Sequence, residues 1–364
     1  MTLRESHSPT EINANIFRSK KPYLIAGPCS AETEDQVLQT AIRLKNTHQI
    51  DLFRAGIWKP RTRPGSFEGI GTIGLSWLKK VKDQTGLPVS TEVAKASHVE
   101  RCLEFGIDVL WIGARTTVNP FAVQEIADAL KGVDIPVLIK NPINPDLALW
   151  LGGVERLQKA GINNLGAIHR GFSNAGEKIY RNRPQWQIPI DFKTAMPEIP
   201  ILCDPSHICG RRDLLASVAQ KSLNLNFDGL MIESHIRPDE AWSDAAQQIT
   251  PEVYGLLIEN LVIRHEQVDY EVKTELDRLR KQIDLIDDEL IHILASRMHI
   301  AREIGLYKKN NGITILQSTR WKDILDKFIN RGQENGLSEE FLARFIKAVH
   351  DESINQQQQI IEEK

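Results

Sequence analysis

The sequence predicts an α/β fold, a (β/α)8 barrel of the TIM type, followed by a smaller all-α helical domain. Three observations predict it. Eight short apolar runs recur at roughly 20–36-residue intervals across about 240 residues. Each run is followed at once by polar, chemistry-bearing residues, as the C-terminal face of a barrel requires. Around residues 262–272 the composition turns helical, and Gly and Pro almost disappear. A doubly wound open sheet is the alternative, but no Gly-x-Gly-x-x-Gly follows the first run.

A polar leader over residues 1–20 precedes the first strand. The strands are expected at Tyr23–Gly27, Leu52–Ile57, Pro88–Val93, Val109–Gly113, Pro136–Ile139, Leu165–His169, Ile201–Cys203 and Gly229–Ile232. Several are unbroken Val/Ile/Leu runs, which suits strands covered on both faces. The barrel is expected over residues 21–262, a linker over 263–273 without Pro or Gly, and the helical domain over 274–364. With 364 residues and 41% hydrophobic content, two cores can be buried. The net charge of −3 gives no overall field to recruit nucleic acid or an anionic membrane. The N-terminus lacks the apolar stretch of a signal peptide, and no run approaches a membrane span. Cys29, Cys102, Cys203 and Cys209 have neither zinc-knuckle spacing nor a disulfide framework, so a cytoplasmic chain with reduced thiols is expected.

The strand ends carry the chemistry. Arg54, Lys59, Arg61, Arg115, Lys140 and Arg170 fall at or near the ends of strands 2, 4, 5 and 6. Six cations at one mouth repel one another unless anions bind there, and Arg and Lys suit phosphate and carboxylate. Cys29, His207, Glu233 and Asp244 bring a thiol, an imidazole and two carboxylates to the same rim. That mixed donor set favours a divalent transition metal (manganese, iron, cobalt or zinc) over calcium or magnesium.

The ordered motifs Gly27-Pro28-Cys29-Ser30, Lys59-Pro60-Arg61-Thr62, Gly113-Ala114-Arg115-Thr116, Ile139-Lys140-Asn141, Arg170-Gly171 and Asp204-Pro205-Ser206-His207 resemble the 3-deoxy-D-arabino-heptulosonate 7-phosphate (DAHP) synthase family over about residues 20–262. The resemblance implies condensation of phosphoenolpyruvate with erythrose 4-phosphate, in the shikimate pathway. It implies Cys29, His207, Glu233 and Asp244 as metal ligands, and Arg54, Lys59, Arg115, Lys140 and Arg170 around phosphoenolpyruvate. Lys59, Pro60, Arg61 and Thr62 would meet erythrose 4-phosphate, with Lys59 and Arg61 as catalytic residues. The sister family that makes the eight-carbon sugar phosphate typically has Ala-Asn-Arg-Ser where this chain has Pro60-Arg61-Thr62.

In the tail, apolar residues at 276, 279, 283, 286, 290, 293, 300 and 304 form a heptad seam, interrupted by Arg297, which is expected to need a buried anion. Asn310-Asn311-Gly312 should end this helix. Two more helices are expected at about Ser318–Asn335 and Ser338–Glu362, the latter with Ser338 as N-cap. The stretch from Leu279, with Arg320 and the later Asp351-Glu352-Ser353-Ile354-Asn355-Gln356-Gln357, resembles the all-helical chorismate mutase family. Matched by motif, Arg280 and Arg297 grip carboxylates, Lys308 and Gln357 meet the ether oxygen, and Arg320 and Ser353 complete the pocket. Gln317 and Trp321 stand where that family often has acidic residues for the substrate hydroxyl. A chorismate- or prephenate-sensing tail without catalysis is the alternative reading. Arg280 and Arg297 lie seventeen residues apart, roughly 25 Å along a helix, so a homodimer with an antiparallel partner helix is expected to complete the site. Prephenate bound in the tail is expected to slow the synthase, because the leader is too short for a separate regulatory domain.

Overall fold

The structure is a computed structural model and describes residues 15–19, 21–60, 65, 67–264 and 270–362. It divides into two compact units, Met1–Glu266 and Gln267–Lys364.

The first unit is a closed barrel of eight parallel strands in sequential order. They are β1 (Tyr23–Gly27), β2 (Leu52–Arg54), β3 (Val89–Val93), β4 (Val109–Ile112), β5 (Val137–Lys140), β6 (Leu165–His169), β7 (Ile201–Cys203) and β8 (Gly229–Glu233). Closure runs from Tyr23 opposite Gly229 to Gly27 opposite Glu233. The helices between them are α1 (Glu34–Lys45), α2 (Ile73–Thr85), α3 (Ala96–Glu104), the single turn α4 (Ala114–Thr117), α5 (Pro120–Ala129), α6 (Leu147–Lys159), α7 (Gln187–Ala195), the short α8 (Pro205–Cys209), α9 (Leu215–Asn224) and α10 (Pro251–Glu259). Local signals set their starts: Thr33, Asn119, Asp146 and Thr250 each cap a helix by accepting from a backbone N–H two or three residues on.

Five strands differ from expectation: β3 starts and β4 ends one residue inside the expected range, and the differences at β2, β5 and β8 matter for the site. Strand β2 ends at Arg54 instead of Ile57, leaving Gly56 only an isolated bridge to Ser30. Strands β5 and β8 each run one residue further, so Lys140 and Glu233 are strand residues and not loop residues. A last strand residue is held by the ladder, which gives its side chain a fixed direction.

That direction follows from alternation. Tyr23, Ile25, Leu52, Val109, Trp111, Leu138, Ile168, Leu202 and Met231 form one buried cluster with Phe17, the apolar filling of the barrel. The intervening residues, such as Leu24, Ala26, Phe53 and Leu110, belong to a separate layer packed against the helices. Phe17, fully buried in the short turn Ile16–Arg18, closes the bottom. Asn15 fixes that turn, accepting from the Phe17 N–H at 3.0 Å and donating to the Leu165 carbonyl at 2.6 Å.

The second unit holds α11 (Tyr270–Asn310), α12 (Ser318–Glu334) and α13 (Glu339–Glu362). Gly312, in the left-handed region, follows the end of α11, and Ser338 Oγ accepts from the Phe341 N–H at 3.4 Å. Helices α11 and α13 pack together, Leu342 of α13 lies against Gly332 of α12, and Ala301, Leu342, Ile346 and Val349 are buried. The N-terminal part of the heptad seam is not buried within the chain: Ile283, Ile286 and Ile293 are 57%, 62% and 64% exposed. Part of the linker, residues 265–269, and most of the leader lie outside the described residues.

Phe17→Ala should lower the barrel's stability by about 3–5 kcal/mol, the usual cost of emptying a buried aromatic site. Urea unfolding followed by intrinsic fluorescence measures it. A loss under about 1 kcal/mol would show that Phe17 does not close the floor.

Candidate active sites

Alternation builds the first site. Leu52, Leu138, Ile168, Leu202 and Met231 point into the barrel, and two residues beyond each come Arg54, Lys140, Arg170, Asp204 and Glu233. A strand's period of two puts all five on the same inward side, one layer above the apolar filling. All five are buried.

Buried charges have to be paired, and these are. Lys140 Nζ meets Asp204 Oδ2 at 2.6 Å. Arg54 Nη1 lies 3.3 Å from Glu233 Oε1, its Nη2 donates to the Cys29 carbonyl at 3.1 Å, and its guanidinium sits 4.8 Å over the Trp111 ring. Arg170 donates to Asn182 Oδ1 at 2.8 Å. Burial, and after it the neighbouring Arg181 and Arg115, bring the Arg170 pKa down to about 10 against the opposing pull of Asp204. Burial alone would raise the Asp204 carboxyl, but His207 and Lys140 outweigh it and hold it well below the usual carboxylate range. Lys59 Nζ donates to the Cys29 carbonyl at 2.8 Å and to Cys29 Sγ at 2.9 Å. Pro60 is partly buried beside it, and Arg115 is exposed on α4. Arg61 and Thr62 lie outside the described residues.

The ligand atoms of Cys29, Glu233 and Asp244 all lie within 4.8 Å of one another. His207 stands beside this group, its Nε2 3.7 Å from Glu233 Oε1 and its Nδ1 2.8 Å from Asp204 Oδ2. Burial pushes the Cys29 thiol up to about 12, with Glu233 adding to it and Lys59 opposing. Burial also works against the Asp244 charge, yet Arg181 and His207 keep that carboxyl depressed. Glu233 Oε1 is buried and accepts no hydrogen bond among the described residues. A carboxylate oxygen ion-paired with Arg54 but without a hydrogen bond, beside a thiol and a second carboxylate, fits a cation of intermediate softness.

Three residues that the sequence reading did not single out complete this centre. Arg181 pairs with Asp244 Oδ1 at 2.9 Å and donates to Gln247 Oε1 at 2.6 Å. Gln247 in turn donates to Glu233 Oε2 at 2.6 Å. Asp204 was visible as the first residue of the Asp204–His207 motif, ahead of a histidine. Arg181 and Gln247 lie in aperiodic loops, where nothing in the sequence signals direction.

The second site is a cleft of about 360 Å³ in the helical unit, lined among others by Arg297, Lys308, Arg320, Ser353 and Gln357. It thus gathers every tail residue expected in the pocket except Arg280. Lys308 Nζ donates to Gln357 Oε1 at 3.1 Å and to the Ile315 carbonyl at 2.5 Å. Arg297 was expected to need an anion, and among the described residues its partners are neutral, Ser353 Oγ and the Val349 carbonyl. Glycine at 305 permits this closeness, since a Cβ there would stand 3.0 Å from the Gln357 Cα. Arg280 lies elsewhere on α11, 68% exposed and paired only with Asp277 at 3.1 Å among the described residues. His350, also unforeseen, lines the cleft and stacks on Trp321 with ring centres 4.0 Å apart.

Residues 8–267 match the DAHP synthetase I family, and residues 279–358 match chorismate mutase type II. The phospho-2-dehydro-3-deoxyheptonate aldolase of Thermotoga maritima is 31% identical over 65% of this chain and 68% of its own length. A 2-dehydro-3-deoxyphosphooctonate aldolase of Vesicomyosocius okutanii is 26% identical over 74% of this chain and 95% of its own. Among solved structures, the Thermotoga maritima DAHP synthase superposes with a TM-score of 0.58 at 28% identity, covering 71% of this chain and 69% of that one. A truncated form of the Thermotoga maritima enzyme gives 0.56 at 26% identity, covering 71% and 87%. The chain belongs to the DAHP synthetase I family and carries a chorismate mutase type II domain behind its barrel, two enzymatic units on one polypeptide.

Proposed function

We propose that the barrel, residues 21–262, performs a metal-dependent condensation of phosphoenolpyruvate with erythrose 4-phosphate to DAHP. Beyond the linker at 263–273, the domain at 274–364 rearranges chorismate to prephenate. The observation that carries the barrel reading is the inward ring of Arg54, Lys140 and Arg170 directly beside the Cys29, Glu233 and Asp244 cluster.

In this reading Arg54, Lys59, Arg115, Lys140 and Arg170 hold the phosphate and carboxylate of phosphoenolpyruvate. Lys59, Pro60, Arg61 and Thr62 receive the aldose phosphate. A divalent ion held by Cys29, His207, Glu233 and Asp244 would supply Lewis acidity at the aldehyde carbonyl. Arg54 and Lys140 are already oriented by Glu233 and Asp204, so they stabilise the shifting phosphate charge with little reorganisation. Lys59 reaches both the phosphate subsite and Cys29, and so fixes the distance between the two halves of the site. Donor softness leaves manganese, iron, cobalt and zinc as candidate ions. Relatives that act on the eight-carbon sugar support a second reading with arabinose 5-phosphate as the aldose, which a comparison of the two aldoses separates.

In the tail, Arg297, Lys308, Gln357, Arg320 and Ser353 form one half of a pocket that holds chorismate as the required conformer. The exposed apolar seam of α11 and the exposed Arg280 support a homodimer whose antiparallel partner helix brings a second Arg280 to the cleft. Prephenate bound there would slow the barrel, and the coupling is then reciprocal in binding.

Three outcomes are expected. Cys29→Ala should lower metal affinity by more than about tenfold and abolish DAHP formation, as should chelation, while prephenate formation continues unchanged. Metal analysis beside both assays reads it, and an undiminished metal content sinks the ligand assignment. Mixing Arg280→Ala with Arg297→Ala protein under subunit exchange should restore up to about a quarter of the mutase sites, the share left with neither defect when the other pocket of a mixed dimer takes both. No recovery despite proven exchange counts against a shared site. Prephenate should inhibit DAHP formation by the wild-type chain and not by Arg297→Ala, and equal inhibition of both places the sensor outside the tail.

A further inference from the structure

The tail cleft combines a charge pattern and an unpaired atom that its proposed chemistry does not use. Arg297, Lys308 and Arg320 line it, and among the described residues no carboxylate does. Gln317 and Trp321, both uncharged, are among its lining residues. His350 lines it too. Its ring lies flat against Trp321, 11° from parallel, which holds the plane of the imidazole. Its Nε2 is buried and makes no hydrogen bond among the described residues. A buried ring nitrogen left without a partner costs stability, and because His350 lines the cleft, a ligand that reaches its ring can supply that partner.

We propose that His350 is a ligand-contacting residue of this cleft, hydrogen-bonding through Nε2 to a bound dicarboxylate and taking up a proton as it does so. The inference rests on the reading of the cleft as a dicarboxylate site. The groups facing His350 are Arg297 and Lys308 on α11, Arg320 and the uncharged Trp321 on α12, and Asp351 beside it on α13. In the free cleft, burial lowers the imidazole's pKa; Asp351 opposes it, and Arg297 and Lys308 add to the lowering. The ring is therefore neutral at pH 7. A ligand bearing two carboxylates reverses the local field and favours the imidazolium. The loaded state then has the higher pKa, so the extra affinity is complete below the free-cleft value. It is lost as pH rises through the loaded value. A carboxylate at Gln317 or Trp321 would have raised the imidazole's pKa in the free cleft, so their lack of charge is what makes the proton uptake depend on the ligand.

The test is calorimetric titration of the full-length protein with prephenate from pH 5.5 to 8, each point in two buffers of different ionisation enthalpy. For the wild type, affinity should fall about tenfold across that range, one pKa unit of coupling, with a measurable fraction of a proton taken up per site. His350→Gln, which puts a polar amide in place of the imidazole but cannot titrate, should show a flat profile and no uptake. Equal proton uptake in both proteins overturns the proposal. Zero uptake by the wild type overturns it without recourse to any variant. If Arg297→Ala binds prephenate as tightly as the wild type, the cleft reading itself fails, a result distinct from either of these.

Discussion

Two ion pairs inside the barrel set the terms for everything above them. Lys140 with Asp204 and Arg54 with Glu233 are held where water barely reaches, on the same inward face as the apolar filling. Isolated, any one of these charges would cost several kcal/mol to bury. Paired, they remain ionised, and each carboxylate faces two ways: Asp204 toward Lys140 and His207, Glu233 toward Arg54 and the sulfur of Cys29. The inward cations and the thiol–carboxylate cluster are therefore halves of one electrostatic unit, and neither half is stable in that layer without the other.

Much of this was legible because a strand's alternation is rigid. Once Leu52, Leu138, Ile168, Leu202 and Met231 are placed inward, the identity of the residue two positions on decides what the mouth contains. Eight polar strand ends in sequence order point to Arg54, Lys140, Arg170 and Glu233 from the residues alone. Arg181 and Gln247 escaped for the converse reason. They reach Asp244 and Glu233 from the loops after β6 and β8, whose path depends on packing and has no period. His350 escaped because its ring is aimed by a stack on Trp321 across two helices, a contact that spacing along either helix does not announce.

The tail teaches a different lesson about pattern. Its seam is a strong helical signal and gave α11 to within a few residues at its C-terminal end, yet the N-terminal part of that seam has no partner within the described chain. Periodicity reports that a face is built to be covered and says nothing of which molecule covers it. Ala301 on the same helix is buried, and Gly305 stands against Gln357 of α13. Propensity cannot distinguish these two faces of one helix, because both are apolar at the same spacing.

Phe17 gives the barrel a floor, and a vessel with a floor has a single opening. Arg54, Lys140 and Arg170 lie deepest below that opening, next to the apolar filling, and Arg115 stands exposed nearer the rim. Under the proposed chemistry, a molecule seated on the deep cations blocks nothing, whereas one seated at the rim bars the way down. Traffic in the barrel therefore has a built-in order: phosphoenolpyruvate first, the aldose after it, and the seven-carbon product out past the rim before the released phosphate can leave the bottom.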